Sequence, residues 1–410
     1  MSPMLLLTHP TGNANVRAAA GAFQSANLLQ ELHSCICWDP ESTLARFLPT
    51  QVAAQLARRS FADVPLSMQH SHPWREVLRL LGPHLPRLRR HEIGPLSIDA
   101  VYRSFDRHVA ARIPQLQGLQ AVYAYEDGAL QTFKAARCLG LTTIYDLPIG
   151  YWRAAQRIFE EERELQPQWA CTLTGLQDSP AKLARKDEEL QLADQVIVAS
   201  AYVRSTLLDQ QACSAPIAVV PYGAPAPLLE PPATSSTGPL RVLYVGSLGQ
   251  RKGLSYALEA IGSLGTQVSL TLIGNPTSSS CKPLLSALGR HRHITSLPHH
   301  QILEQMRQHD VLLFPTLFDG FGLVITEALS QGLPVISTVH SGAPECIQDG
   351  VEGFIVPIRN SQAIAERLQQ LSDDRDQLAA MRQACLQRAA ELSWAGYEMG
   401  LRLAVGKAIQ

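Results

Sequence analysis

Two carboxylates, Asp319 and Glu327, stand eight positions apart on either side of the turn Gly320-Phe321-Gly322. Gly320 and Gly322 let the backbone turn tightly and come close to a ligand. A helix opening at Leu323 and Val324 would aim its unpaired N–H groups and positive dipole end at that turn, which suits a phosphate. Carboxylates on both sides would accept from hydroxyls, so the pattern suits a nucleotide sugar, with amides for the diphosphate and acids for the hydroxyls. The same spacing also fits an ordinary strand-turn-helix unit with Asp319 in the turn and Glu327 solvated.

These residues need a strand before them and a helix after them. The apolar run Val311-Leu312-Leu313-Phe314 reads as a buried parallel strand. A second such unit begins with the strand Leu240 to Gly246 and passes through Ser247-Leu248-Gly249-Gln250-Arg251-Lys252-Gly253 into a helix, Leu254 to Ile261. Arg251 and Lys252 lie at that helix start, where the dipole disfavours cations, and this points to an anion nearby. Val268 to Ile273 is the next strand, with Gly274 and Asn275 at its tip, and His293 to His300 reads as a short strand and loop that includes Pro298.

The amino-terminal half follows the same scheme. Pro3 to Thr8 reads as a strand, His9 to Asn15 as a polar turn containing Gly12 and Asn13, and an Ala-rich helix runs to about Leu29. With one glycine this is not the dinucleotide fingerprint, and the loop either lines a ligand crevice or is plain surface. Gln120 to Ala129 and Thr142 to Pro148 read as strands ending in polar turns. Tyr145 and Asp146 are candidates for holding ligand hydroxyls, and Asp146 could instead cap a helix.

A chain of 410 residues suits two domains. Hydrophobic residues make up 46% and charged ones 17%, a globular balance, and with a net charge of −1 nothing global argues for nucleic acid, so no nucleic-acid partner is expected. Neither a span of ~18 apolar residues nor a signal peptide is read in the chain, so a cytoplasmic protein is expected. Cys35 and Cys37 lack a second pair for zinc and read as buried thiols on one face of a strand, with no disulfides expected among the eight cysteines. His291, His293, His299 and His300 share their loop with no carboxylate or cysteine, and no metal is expected there. Asp373, Asp374 and Asp376 read as loop or helix-cap residues. Residues 51 to 90 hold seven arginines against two acids. With Trp74 and Val77-Leu78-Arg79-Leu80-Leu81 they form either a peripheral membrane face or solvated helix faces.

From Asp319 to Glu327, and on through Ala328-Leu329-Ser330-Gln331-Gly332-Leu333-Pro334, the chain resembles the acidic-x7-acidic signature of glycosyltransferase family 4. Asp319 stands where that family usually has Glu, one methylene shorter. Gly246 to Gly253 resembles the family's "V-G-R-L-x-x-x-K-G" loop, with Lys252 on the Lys and Ser247 on the Arg. Either Arg251 takes over that charge or the site is weaker. Ile217 to Gly223 resembles "v-I-P-N-G", Ser341 to Glu345 "G-G-x-P-E", and Leu392-Ser393-Trp394 "f-S-W". Tyr145 replaces a family histidine.

The resemblance implies an α/β protein of GT-B fold, two Rossmann-like domains facing an interdomain cleft. Residues 1–228 would form the acceptor side, 229–239 a linker, 240–391 the nucleotide-sugar side, and 392–410 a helix crossing back. It implies a retaining, metal-independent hexosyltransferase without cofactor, taking a UDP- or GDP-linked sugar to a glycan, lipid or small-molecule hydroxyl. Lys252, Arg251, Asp319 and Glu327 would be catalytic. Gly246, Ser247, Gly274, Asn275, Pro298 and the stretch Gly320 to Val324 would hold the donor, and Gly12, Asn13, Tyr145 and Asp146 would line the cleft. A phosphorylase of this fold, or a non-catalytic binder of nucleotide sugars, are the alternatives.

Overall fold

In a computed structural model, residues 4–43, 45, 50–81, 87–233 and 237–409 are described. The strand start expected at Pro3, and Thr234, Ser235 and Ser236 of the expected linker, lie outside them. Two parallel sheets carry the fold. The first contains β1 (Met4–Thr8), β2 (Leu29–Ser34), β3 (Gln69–Ser71), β4 (Leu119–Tyr125), β5 (Thr142–Leu147), β6 (Gln195–Val198) and β7 (Ile217–Val219), ordered β3-β2-β1-β4-β5-β6-β7. The second contains β8 (Leu240–Val245), β9 (Val268–Ile273), β10 (Arg292–Ile294), β11 (Val311–Phe314), β12 (Val335–Ser337) and β13 (Gly353–Ile355), ordered β10-β9-β8-β11-β12-β13. Their apolar runs are long and unalternated because helices cover both faces of each sheet.

Each sheet reverses its strand order once, between β1 and β4 in the first and between β8 and β11 in the second. Such a reversal opens a crevice beyond the carboxyl ends of the strands. The loops leaving β8 and β11 are the ones that carry Arg251, Lys252 and Asp319, and the loop leaving β1 carries Gly12 and Asn13.

The first helix, Ala14–Ser25, stops four residues short of Leu29. Asn27 takes a left-handed turn at φ 53°, and Leu29 already begins β2. Cys35 and Cys37 follow β2 rather than lying within it; Cys35 is buried and Cys37 half-buried. Asp374 caps the helix Arg375–Glu391 by accepting from the Gln377 amide. Pro298 precedes a full helix, His299–Gln308, where a loop was expected.

The two halves share structure. Ala154, Ile158, Phe159, Trp169 and Leu173 precede the linker yet pack in one core with Leu240, Val242 and Leu270 of the second sheet. In the other direction, Tyr397, Leu401 and Val405 of the last helix, Trp394–Ile409, join the cluster of Val16 and Phe23. Among the described residues, no helix is long and apolar enough to cross a membrane.

Candidate functional site

The loop after β8 and the loop after β11 are locked together by their backbones. Leu317 N donates to Arg251 O at 3.0 Å, and Thr316 Oγ1 donates to the same oxygen at 3.2 Å. Gly253 has φ 69°, and a Cβ there would stand 1.9 Å from Pro315 O, so only glycine permits this approach. The consequence is that Lys252 Nζ hydrogen-bonds Asp319 Oδ2. The ammonium also sits 4.4 Å above the Phe314 ring. Arg251 Nη1 lies 3.8 Å from Asp319 Oδ1 and donates to Phe318 O at 2.9 Å.

Burial lowers the Lys252 ammonium to about 8, with Asp319 pulling it back up and Arg251 adding to the fall. Burial pushes the Asp319 carboxyl up, but Lys252 and Arg251 outweigh it and hold the group below the usual carboxylate range. Near neutral pH the pair is therefore ionised, two cations over one carboxylate. That leaves a net positive charge in a buried place, which attracts an anion.

The Gly320 turn is pressed against the amino-terminal half. A Cβ on Gly320 would lie 1.7 Å from Pro148 O, and one on Gly150 would lie 2.5 Å from the Phe318 ring. Ser200 Oγ donates to Gly320 O at 2.6 Å, and Ala201 N to Glu345 Oε1 at 2.5 Å. Gly322, at φ 84°, starts the helix Leu323–Ser330. Its first N–H groups have no partner within the helix and face the turn. Gly320 N donates to Asp319 Oδ1 at 2.8 Å. Phe321 turns away from the anion side: its ring is 2% exposed and packs edge-on to Tyr222. A cavity of about 350 Å³ opens beside Arg251 and Phe318, with Gly150, Trp152 and Phe159 on its other wall.

Glu327 lies in the second turn of the helix and accepts from His299 Nε2 at 2.9 Å. That hydrogen bond raises the imidazole above its ordinary value, against the effect of burial. His299 follows the exposed Pro298. Gly246 and Gly274 take φ 139° and 152°, and a Cβ on Gly274 would meet Gly246 O at 1.7 Å. The tips of β8 and β9 are thereby held close, with half-buried Ser247 and exposed Asn275 beyond them. Replacing Glu327 with glutamine removes the charge and should lower the His299 midpoint. A histidine NMR titration reads this directly, and an unchanged midpoint would break the pairing.

The cleft candidates of the first half behave differently. Tyr145 is buried, and its hydroxyl lies 3.3 Å from Glu189, on the side of Phe133. Asp146 neither caps a helix nor meets solvent; it is 2% exposed and accepts from Tyr123 OH at 2.5 Å. Burial pushes this carboxyl up to about 7. Gly12 is buried, with Arg17 Nη1 donating to its carbonyl at 2.5 Å, and Asn13 is exposed at the start of the first helix. The structure thus brings Lys252, Arg251 and Asp319 into contact and sets Tyr145 and Asp146 inside the first sheet. Sequence reasoning missed His299 as the partner of Glu327, because the two lie 28 positions apart on separate helices.

Residues 228–388 match the family described as glycosyl transferases group 1. Over 248 residues the chain is 28% identical to a D-inositol 3-phosphate glycosyltransferase of Corynebacterium aurimucosum, covering 54% of this chain and 59% of that one. Matches to the first curated relatives span 36% to 59% of their lengths. Among solved structures, the sucrose-phosphate synthase of Thermosynechococcus elongatus superposes with a TM-score of 0.66 at 16% identity, over 99% of both chains. HepE of Anabaena, solved with UDP-glucose, gives 0.62 at 14% identity, over 98% of this chain and 99% of its own.

Proposed function

With residues 228–388 forming a group 1 glycosyl transferase domain in a chain of GT-B fold, we propose that this protein is a retaining glycosyltransferase moving a hexose from a nucleotide sugar to an acceptor hydroxyl. The observation that carries the reading is the paired charge at the crevice, Lys252 and Arg251 over Asp319 beside the amino end of the Leu323–Ser330 helix. In this reading residues 240–391 hold the donor, residues 1–228 the acceptor, 229–239 link them, and 392–410 tie back to the first half.

Departure of a nucleoside diphosphate places negative charge on a phosphate oxygen. Lys252, Arg251 and the amides of Gly322, Leu323 and Val324 neutralise it without a metal at the donor, while the Gly320 amide holds Asp319. Asp319 holds sugar hydroxyls and orients Lys252, and Glu327 takes the ribose hydroxyls with His299 at its side. Gly246, Ser247, Gly274, Asn275 and Pro298 surround the rest of the nucleotide, while Phe321 contributes backbone only. The acceptor hydroxyl enters on the face the diphosphate leaves and gives its proton to a phosphate oxygen, so no protein nucleophile is required. Gly12 and Asn13 lie toward the acceptor, while Tyr145 and Asp146 support the acceptor wall from beneath.

UDP is the favoured carrier, since HepE, a neighbour in fold, binds UDP-glucose. A thermal-shift series with UDP, GDP, ADP and inorganic phosphate tests this, because a ligand that binds only the folded state raises the midpoint with its affinity. Stabilisation by UDP above the others is expected. A response to phosphate alone would replace the reading with a phosphorylase.

The acceptor side presents Trp74, Leu78 and Leu81 at 47%, 48% and 75% exposure, with Arg75 stacked 4.4 Å over Trp74. Aromatic and aliphatic side chains beside arginines suit an anionic bilayer surface and a lipid-linked acceptor. Sedimentation with anionic vesicles should be strong for the wild type and lost in Leu81→Glu; equal sedimentation of both would remove the membrane from the proposal.

A further inference from the structure

β2 and β3 lie at one edge of the first sheet, and their parallel register sets His33 opposite His70. Residues two apart on a strand share a face, so Glu31 stands beside His33 on it. His33 Nε2 is 2.7 Å from Glu31 Oε2, and His70 Nε2 is 3.3 Å from Glu31 Oε1. The two imidazoles stack at 4.9 Å. One ligand atom from each of the three residues lies within 4.8 Å of the others. Glu31 and His33 are buried while His70 is half-buried, which leaves a way in from solvent. Two imidazole nitrogens and a carboxylate oxygen gathered this closely form the donor set of an open zinc-type site.

Arg112 donates to both Glu31 oxygens, Nη2 to Oε1 at 2.6 Å and Nε to Oε2 at 3.2 Å. It fixes the carboxylate as an outer partner does and, being a cation, weakens binding. His108 stands 6.5 Å from His33 and stacks at 4.3 Å on His72, completing a patch of four imidazoles.

We propose that Glu31, His33 and His70 bind one divalent first-row transition ion of the zinc class, with water in the remaining position. Binding replaces the His33 Nε2–Glu31 Oε2 hydrogen bond: the ring proton moves to Nδ1, and Nε2 offers its lone pair to the ion. The ion ties the three-residue edge strand β3 to β2. It lies on the first sheet, apart from the Lys252–Asp319 pair on the second, and its role is to hold structure.

The test uses tag-free, chelator-stripped full-length protein titrated with Co²⁺ and then Zn²⁺. One equivalent of Co²⁺ should bind with visible absorption bands of low coordination number, be displaced by Zn²⁺, and raise the thermal midpoint. His70→Ala, at a half-buried position, should keep the metal-free midpoint and weaken binding at least ten-fold. His33→Gln should weaken it as well, but His33 is buried, so the His70 variant decides if the other does not fold. Absence of stoichiometric binding overturns the proposal. So does binding that survives in His70→Ala and disappears in His91→Ala, which would assign the ion to His91, Glu92 and Asp178 instead.

Discussion

Lys252→Ala should lower kcat/KM for the nucleotide sugar by about 10²- to 10³-fold, the loss typical of removing one donor to developing negative charge in a dry site. The side chain is 11% exposed and held between Asp319 and the Phe314 ring, so no water readily replaces it. Arg251 survives in the variant at 3.8 Å from Asp319, which keeps that carboxylate from standing alone and lets the fold persist. On the proposed reading the wild type should also lose donor affinity as pH rises through about 8, where burial places the Lys252 titration. The sign follows from the charge: below that pH the ammonium meets the diphosphate, and above it a neutral amine does. A bound diphosphate favours the protonated form and moves this limb upward in kcat relative to kcat/KM. Lys252→Arg, if active, should remove the limb, since a guanidinium does not titrate there. Near-normal turnover in Lys252→Ala, or an unchanged alkaline limb in Lys252→Arg, would show that the leaving charge is met elsewhere.

How far the fold could be read depended on whether one segment sufficed to define an element. Val268 to Ile273 and Val311 to Phe314 are strands at the expected places, because an unbroken apolar run flanked by turns leaves few alternatives. The glycine turn and its two acids were legible for the same local reason. The first helix was read too long because Leu28 and Leu29 continue its apolar pattern, and only the left-handed Asn27 separates them from it. The inward turn of Tyr145 and Asp146 was not legible. Alternation along β5 puts them on opposite faces, and both faces are covered. Pairings across the chain were hidden for a different reason: His33 meets His70, and Glu327 meets His299, only once strand register and helix packing are fixed.

The segment Trp152–Leu165 shows the same limit and yields the largest expected loss of stability. Its periodicity declares a buried stripe without saying which core receives it, and that core belongs to the second sheet. At its centre Glu162 is fully buried, accepting from Gln250 Nε2 at 2.7 Å, Tyr256 OH at 2.9 Å and Arg359 Nε at 2.8 Å. All three partners lie beyond the linker, so one carboxylate joins the halves. Glu162→Ala takes an acceptor from Gln250 Nε2, which keeps Ser255 Oγ, and from Tyr256 OH and Arg359 Nε, and breaking a buried charged network costs on the order of 3–5 kcal/mol. Glu162→Gln keeps an acceptor of the same shape and should cost less. Gln250 precedes Arg251 and Lys252, and its backbone N–H donates to Thr172 Oγ1 at 3.0 Å. The damage should therefore reach the anion site, and the alanine variant should lose UDP-induced stabilisation along with much of its thermal midpoint. If urea and thermal midpoints of Glu162→Ala match the wild type, the carboxylate is not what holds the halves together, and the apolar stripe of Ile158 and Phe159 carries that contact instead.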